Sequence, residues 1–266
     1  MTELLNTIRG AIALDIPTFV RFRDSEDVFR RGVTILVLVA LIVGAVAFAV
    51  DFVTGLTTTP EEEIAKAQEG FGQMLQAMSQ FMPPEDLEEF KKYFLAYFET
   101  GMEIGRGIAA LDTPFPRGLI TFFQALGHWV HRPLAMLGGF LGYGIWVMLA
   151  AKLLGGKGRL QEFLGTAALS SVPYLLLVLE KVPCVGGLLS FVAWVWSTII
   201  WVVATAVTHG WAVPITTGEG AVERYEVNWG RPILAVILPA LAVAVLALIG
   251  GLSLMGIIAA AIRSAG

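Results

Sequence analysis

The chain has 266 residues, of which 56% are hydrophobic and only 15% are charged, and its mean hydropathy is +0.73. An ordinary soluble domain is about 25% charged, so this composition excludes a conventional water-soluble globule. The high apolar content also excludes a disordered chain. A single cysteine excludes an internal disulfide or a thiolate metal cluster. The net charge of −4 is not the positive charge that nucleic-acid binding proteins carry.

Residues 1–32 precede the first long apolar run and are predicted to form a cytoplasmic amphipathic segment. Such a helix can lie on the membrane interface, or it can pack its apolar face against the membrane spans of the same protein. The sequence leaves both interpretations open. The apolar side chains at helical spacing are Leu4, Leu5, Ile8, Ala11 and Ile12.

Five apolar runs are long enough to cross a bilayer, which takes about 20 mostly apolar residues. The first covers residues 33–50 and is interpreted as an uncleaved anchor, because no small-residue cleavage site follows a short apolar core. Strands are excluded for these runs because they lack two-residue alternation. The predicted fold class is therefore an all-α, polytopic five-span helical bundle. The remaining spans fall in a membrane domain of residues 133–262, at Pro133–Ala151, Phe163–Leu179, Leu188–Thr208 and within Ile233–Ile262.

Positive residues near the span ends predict the orientation, because Lys and Arg concentrate on the cytoplasmic side. Arginines crowd the front of the first span, and Lys152, Lys157 and Arg159 fill the connection after the second. The fourth connection carries Arg224 and Arg231. With five spans, these three segments share one face. The prediction is a cell-membrane protein with a cytoplasmic N-terminus and an extracytoplasmic C-terminus.

The connection of residues 51–132 is predicted to be extracytoplasmic, with a helical hairpin over residues 59–107 followed by an interfacial helix. Two stretches carry apolar stripes at three- and four-residue steps, and Pro83 and Pro84 separate them. These stripes either bind a partner or a second copy, or bury against each other or the bilayer. The residues of this candidate partner surface are Phe71, Met74, Phe90, Phe94 and Phe98.

Small residues in the second and third spans predict close helix packing. Gly138 and Gly142 form a Gly-x-x-x-Gly step in the second span, and Pro173 removes one backbone donor from the third. Tight packing with no further role is the favoured interpretation. The small, weakly polar face of the third span consists of Gly165, Ala167, Ala168, Ser170 and Ser171.

Candidate catalytic and metal-binding residues are few, and the span interiors carry no ionisable side chain. His128 and His131 have a spacing suited to a metal pair, but no third ligand is evident. His209 is interpreted as a polar tip at the opposite membrane interface. Ser170 and Ser171 lack a base within the spans and a Gly-x-Ser-x-Gly elbow, so backbone hydrogen bonding is expected for both. The sequence therefore predicts no catalytic site, no cofactor and no metal.

A series of segments follows in a recognisable order: Leu153–Gly158, Phe163–Ala168, Ser170–Pro173, Val182–Gly187, a span containing Trp196, and His209–Gly210. Over residues 120–260, this order resembles the Yip family (the Ypt-interacting-protein domain) in its prokaryotic form. Gly165 and Pro173 are its best markers, and Pro183 lies in its outer turn. The resemblance implies a five-span membrane protein with a cytoplasmic N-terminus and no known catalytic site. Its eukaryotic relatives are associated with Rab-type GTPases and vesicle traffic.

The lead hypothesis is a non-enzymatic membrane scaffold or adaptor that organises the membrane or partner proteins. Its expected partners are the lipid bilayer and, through the 59–107 hairpin, a second copy or another membrane protein. The alternative is a transporter or channel component, which a discontinuous helix around Pro173 would favour. An intramembrane enzyme is a weaker alternative and needs a water-filled cavity beside His209. A polar cavity would also favour transport, if lined by Ser170, Ser171, Ser197 and Thr205.

Overall fold

A computed structural model gives the protein's structure, and the chain is mostly helical. It divides into two compact units, one of residues 1–47 with 129–266 and one of residues 48–128. The first is called the membrane unit below. The described residues are 2–80, 83–109, 115–182, 185–216 and 222–246.

Four helices among the described residues are long and apolar enough to cross a membrane. They are α3 (Val28–Thr57), α6 (Arg117–Leu153), α7 (Leu160–Ala167) continued by a 3₁₀ helix (Ala168–Leu179), and α8 (Gly186–Thr208). Each of the first four predicted spans lies inside one of them. Helix α6 covers 37 residues without a break, so the predicted interfacial helix and the second span belong to one helix.

The predicted fifth span is represented by a shorter apolar helix, α9 (Gly230–Leu246). The Tyr143 hydroxyl of α6 donates a hydrogen bond to the Val236 carbonyl of α9 over 2.6 Å, and the Val236 side chain is fully buried. Residues 247–262 of the predicted span lie outside the described residues. The structure therefore supports four candidate spans and the first part of a fifth apolar segment.

The N-terminal segment forms two short helices, α1 (Thr2–Ile12) and α2 (Ile16–Arg23). Helix α1 packs against α2 and the 3₁₀ helix. Ala11 is fully buried, and the Trp196 indole N–H donates to the Ile12 carbonyl over 3.0 Å. Of the two interpretations that the sequence left open, the contacts support packing against the protein's own spans.

The third candidate span changes from α-helix to 3₁₀ helix at Ala168 and keeps the tighter form for 12 residues. Such long 3₁₀ stretches are uncommon, because the hydrogen-bond geometry is poorer than in an α-helix. Two residues of this segment alter its backbone hydrogen bonding. Pro173 has no N–H to donate, and the Ser171 hydroxyl donates to the Ala168 carbonyl over 2.7 Å, where an α-helix would use a backbone N–H.

Helices α3 and α7 approach each other closely at a pair of glycines. A Cβ atom added to Gly32 would overlap the Gly165 backbone, and one added to Gly165 would overlap the backbone of Val28 and Phe29. A side chain at either position would push the helices apart. Around this contact lies one apolar core of the membrane unit, whose largest fully buried side chains include Phe19, Leu36, Phe163, Leu169 and Ile200.

In the unit of residues 48–128, helices α4 (Pro60–Met78) and α5 (Pro84–Ala109) contact each other. Helix α4 begins with a capping box, in which Thr59 and Glu62 each accept a backbone N–H from the other. Phe71 of α4 stacks on two rings of α5, with centroid distances of 5.3 Å to Phe94 and 4.5 Å to Phe98.

Two strands, β1 (Ala212–Thr216) and β2 (Val222–Val227), form an antiparallel pair between α8 and α9. Ala212 pairs with Val227, and the register becomes irregular between Ile215 and Thr216. The prediction of an all-α chain is therefore correct only in its coarser form: the chain is mostly helical. Polar and apolar residues partly alternate in β2, and this pattern could have indicated a strand. The prediction considered strands only for the long apolar runs.

Candidate functional site

The candidate site lies where α8 ends. His209 follows the last helical residue, and its backbone N–H still bonds to the Thr205 carbonyl over 3.1 Å. Gly210 then adopts φ +76°, and the Trp211 N–H returns to the Ala206 carbonyl over 2.9 Å. This is a Schellman ending, which uses a glycine to reverse the chain and satisfy a late helix carbonyl. It fixes the position of His209.

A second Schellman ending lies at the end of α6. Gly155 has φ +87°, its N–H donates to the Lys152 carbonyl over 3.0 Å, and the Gly156 N–H donates to the Ala151 carbonyl over 2.9 Å. The basic glycine-rich turn is therefore a helix stop with defined geometry. It presents Gly156, Lys157 and Gly158 to the end of α8.

The turn packs directly on His209. The Gly158 N–H donates to the His209 Nδ1 over 3.2 Å, and the Lys157 N–H approaches the His209 carbonyl at 3.4 Å. A Cβ at Gly156 would overlap the imidazole, and one at Gly158 would overlap the Thr208 carbonyl. Glycine is required at both positions because the backbone itself contacts the histidine.

Aromatic rings enclose the rest of the imidazole. The Trp211 ring lies roughly parallel to it at a centroid distance of 5.4 Å, and the Phe163 ring lies at 5.5 Å. His209 is 1% exposed. Because Nδ1 accepts the Gly158 N–H, a neutral ring carries its proton on Nε2. Among the described residues, Nε2 is buried without a hydrogen-bond partner.

The site holds its histidine neutral. Burial of the ring and, to a smaller extent, the positive charge of Lys152 lower the pKa of His209 to about 4. At neutral pH the imidazole is therefore uncharged.

Helix α2 reaches the same end of α8. The Arg23 guanidinium donates to the Val207 carbonyl over 2.9 Å and forms an ion pair with Asp24 at 2.7 Å. A positive side chain at a helix C-terminus also interacts favourably with the helix dipole. Helix α2, the α6–α7 turn and the end of α8 therefore meet in one junction around His209, which we call the His209 junction.

Several hydroxyl groups of the third and fourth spans bond to backbone carbonyls. The Ser171 hydroxyl bonds to the Ala168 carbonyl, and the Thr205 hydroxyl donates to the Trp201 carbonyl over 2.6 Å. Ser170 and Ser197 are also buried. The polar contacts of His209 are backbone groups of the turn and of its own helix, so no described contact joins any of these three serines to the histidine.

The structure separates the predicted motif residues. Gly165 makes the close contact with α3, and Pro173 lies in the buried part of the 3₁₀ helix. A Cβ at Gly138 or Gly142 would meet no described atom within 4 Å, so the close approach in α6 occurs instead at Gly144, against Leu164 and Trp201. The predicted residue Pro183 and the neighbouring Cys184 lie outside the described residues.

The interpretation of His209 as an interfacial polar tip was wrong, because the ring is buried in the His209 junction. The partner that buries it, Gly158, is 51 residues away in the chain, so no local pattern reveals the contact. Among the described residues, no group of three or more His, Cys, Asp or Glu side chains is arranged to hold a metal ion. His128 lies 3.9 Å from the Asp51 carboxylate.

Comparisons of the chain with protein-family models, with curated proteins and with solved structures found no match. The family assignment therefore stays a prediction from the order of segments. In the His209 junction, the structure brings the Gly155–Gly158 turn and the His209–Gly210 ending, which are far apart in the chain, into direct contact.

Proposed function

We propose that the protein is a non-enzymatic integral membrane scaffold or adaptor of the Yip type, which organises the membrane or partner proteins. The observation that carries this proposal is the exposed apolar surface of its candidate spans. Only 33% of the residues in the most apolar 18-residue stretch of α8 are buried. Leu188, Phe191 and Trp194 are among its exposed side chains. Surfaces of this kind contact lipid or the helices of another membrane protein.

The helices α4 and α5 supply a second surface. Residues 59–107 contain ten acidic and four basic residues, and this charge density keeps the segment out of the hydrocarbon. The stack around Phe71 buries part of the aromatic stripe, whereas Met74 and Phe94 remain exposed. In the proposal, these two helices form an extracytoplasmic hairpin that contributes contacts to a second copy or a partner.

The proposed orientation has a cytoplasmic N-terminus, five spans and an extracytoplasmic C-terminus. It is based on the arginines before α3 and the basic turn after α6. Cysteine labelling at positions 80 and 157 in intact cells tests this orientation. A membrane-impermeant reagent should label position 80 and leave position 157 unlabelled, and the reverse result would overturn the orientation.

One observation favours the alternative function, a transporter or channel component. The third candidate span contains the 12-residue 3₁₀ helix around Pro173, and interrupted helices mark the binding sites of many transporters. The buried hydroxyls nearby weaken this alternative, because those of Ser171 and Thr205 bond to backbone carbonyls. We therefore keep transport as the second candidate.

Cross-linking in native membranes tests the scaffold function. The tagged full chain is cross-linked, purified and compared with Met74→Glu, which places a charge on the exposed stripe and keeps the stacked phenylalanines. The matched control is Gln76→Glu, which adds the same charge at an exposed polar position of α4. We expect a defined cross-linked species, either a second copy or one partner, that the first variant loses and the control retains.

Two results would overturn the proposal. The first is a chain that remains monomeric and unlinked in its native membrane. The second is solute flux in reconstituted vesicles that stops after a substitution at Pro173, since this would identify the chain as a transporter.

A further inference from the structure

A half-open cavity lies among α1, α2 and the start of α3, and along α3 its lining changes from a polar end with Arg30 and Arg31 to an apolar end at Leu38. Its volume is about 290 Å³. Its polar lining includes Glu3, Arg30, Arg31 and Thr34, and its apolar lining includes Leu4, Phe22, Ile35 and Leu38.

The polar end carries two guanidinium groups. Arg30 is largely exposed and pairs with Asp27 at 2.8 Å. Arg31 lies over the Phe22 ring at 5.7 Å and pairs with Glu3 at 2.5 Å. A guanidinium has five N–H donors, so one carboxylate leaves much of its capacity unused. Arginine pairs readily with the oxygens of phosphate.

The apolar end continues along the candidate span. Thr34, Leu38 and Ile42 follow one another at four-residue steps, so they lie on one face of α3. Leu38 is 42% exposed and Ile42 is 50% exposed. The exposed face of α3 therefore leads from the two arginines directly onto the surface that faces lipid acyl chains.

This order of charge and apolar surface matches one class of ligand. Arginines just before an uncharged span lie at the level of the lipid phosphates, and basic pockets beside membrane helices bind anionic headgroups. We propose that the cavity binds one anionic glycerophospholipid, with its phosphate on Arg30 and Arg31 and an acyl chain along Leu38 and Ile42. A volume of about 290 Å³ accommodates the headgroup region, while the chain lies in the open groove.

Glu3 acts as an internal competitor in this site. Its carboxylate occupies Arg31 in the structure, which is the position that a lipid phosphate takes on binding. The Arg31 guanidinium holds the pKa of the Glu3 carboxyl below its usual value, so the competitor is charged at neutral pH. Removing this charge frees Arg31 and strengthens lipid binding. The site goes beyond the scaffold function, since a transporter component could bind the same lipid.

Lipid titration of the purified full chain in detergent tests the proposal, with native mass spectrometry to count bound lipids. The probes are dioctanoyl phosphatidylglycerol, dioctanoyl phosphatidylcholine and glycerol 1-phosphate. We expect one phosphatidylglycerol per chain, bound about tenfold more tightly than phosphatidylcholine, because the two lipids share the phosphate but only phosphatidylcholine carries a quaternary ammonium, which the two arginines repel. Glycerol 1-phosphate should not bind in the same range, because it lacks the acyl chain.

Matched variants distinguish lipid binding in this cavity from lipid attraction by the general surface charge. Arg30→Gln/Arg31→Gln should lose the preference for phosphatidylglycerol. Arg9→Gln/Arg21→Gln removes the same charge outside the cavity lining and should keep that preference. Glu3→Gln should bind phosphatidylglycerol a few-fold more tightly.

The Thr34→Phe variant tests the site independently, in case the arginine variants misfold. It fills the cavity from an exposed position and leaves both arginines in place, so it should also lose the lipid. Equal losses in the two arginine pairs, equal binding of the two lipids, or tight binding of glycerol 1-phosphate would each overturn the proposal.

Discussion

The glycines of the membrane unit and those of helices α4 and α5 differ in their surroundings. In the membrane unit, Gly32 contacts the backbone of Gly165, and Gly158 contacts the end of α8. In α4 and α5, a Cβ at any described glycine would meet no described atom within 4 Å. The membrane unit is held by close backbone contacts, whereas α4 and α5 meet through stacked phenylalanines.

This difference predicts different sensitivity to substitution. A backbone contact cannot move aside, so an added methyl group in the membrane unit forces whole helices apart. The rings of a two-helix seam can adjust, and each pair contributes only about 0.5–1.5 kcal/mol beyond its buried area.

His209→Ala is expected to have the largest effect. It removes a buried ring from between Gly156 and Trp211 and leaves the Gly158 N–H without its acceptor. Deleting a large buried ring costs about 3–5 kcal/mol, and a buried unpaired donor adds about 1–3 kcal/mol. The apparent melting temperature in detergent should fall strongly. His131→Ala, at an exposed position, is the control and should leave it unchanged.

Gly32→Ala should destabilise the membrane unit by about 1–3 kcal/mol, the usual cost of overpacking. The new methyl group overlaps the Gly165 carbonyl, which is backbone and cannot rotate away. Gly138→Ala is the matched control, because its methyl group meets no described atom within 4 Å. Thermal unfolding followed by tryptophan fluorescence compares the two. Equal effects would contradict the close contact between α3 and α7.

Acidification should destabilise the membrane unit through His209. Its pKa is about 4 in the folded protein and about 6.5 in an unfolded chain, so the unfolded state binds more protons between these values. The contribution to stability is therefore complete above about pH 6.5 and is lost as the pH falls toward 4. Melting temperatures measured from pH 4 to 8 should show this loss, and His209→Gln should reduce it. An unchanged pH profile in the variant would contradict the assignment.

Phe71→Ala should have the smallest effect on the membrane unit, because it acts on α4 and α5 alone. It removes stacking on Phe94 and Phe98, which is worth about 0.5–1.5 kcal/mol per pair. Amide hydrogen exchange should accelerate in α4 and α5 while the melting temperature of the membrane unit stays constant. Tyr97→Ala serves as control, because Tyr97 is 79% exposed. A fall in the melting temperature of the membrane unit would contradict the claim that the two regions differ in their sensitivity to substitution.

Much of the helical architecture is predictable from the sequence, because continuous apolar runs and proline breaks are local signals. The first four predicted spans lie within four candidate spanning helices. Gly165 makes a close backbone contact with α3, whereas a Cβ added to Gly138 or Gly142 would meet no described atom within 4 Å. A Gly-x-x-x-Gly step shows where a neighbouring helix could approach the backbone closely. The tertiary fold determines at which glycine such an approach occurs.

The His209 junction was not predictable, because it depends on contacts between distant segments. Both halves, the Gly155–Gly158 turn and the His209–Gly210 ending, stand out in the sequence. Nothing local shows that the Gly158 N–H meets the His209 Nδ1. The cavity beside Arg30 and Arg31 depends likewise on the packing of α1 against the spans, which the sequence left open.

The most direct test of the proposed scaffold architecture is the replacement of residues 59–107 with a short Gly/Ser linker. The measurement is the yield of membrane-inserted, monodisperse protein and its melting temperature, together with cross-linking in the native membrane. We expect an inserted protein with an unchanged melting temperature and reduced cross-linking to a second copy or partner, because the close contacts of the membrane unit lie outside the replaced segment. Failure to insert, or degradation of the shortened chain, would contradict a separable hairpin and make these helices part of the folding core.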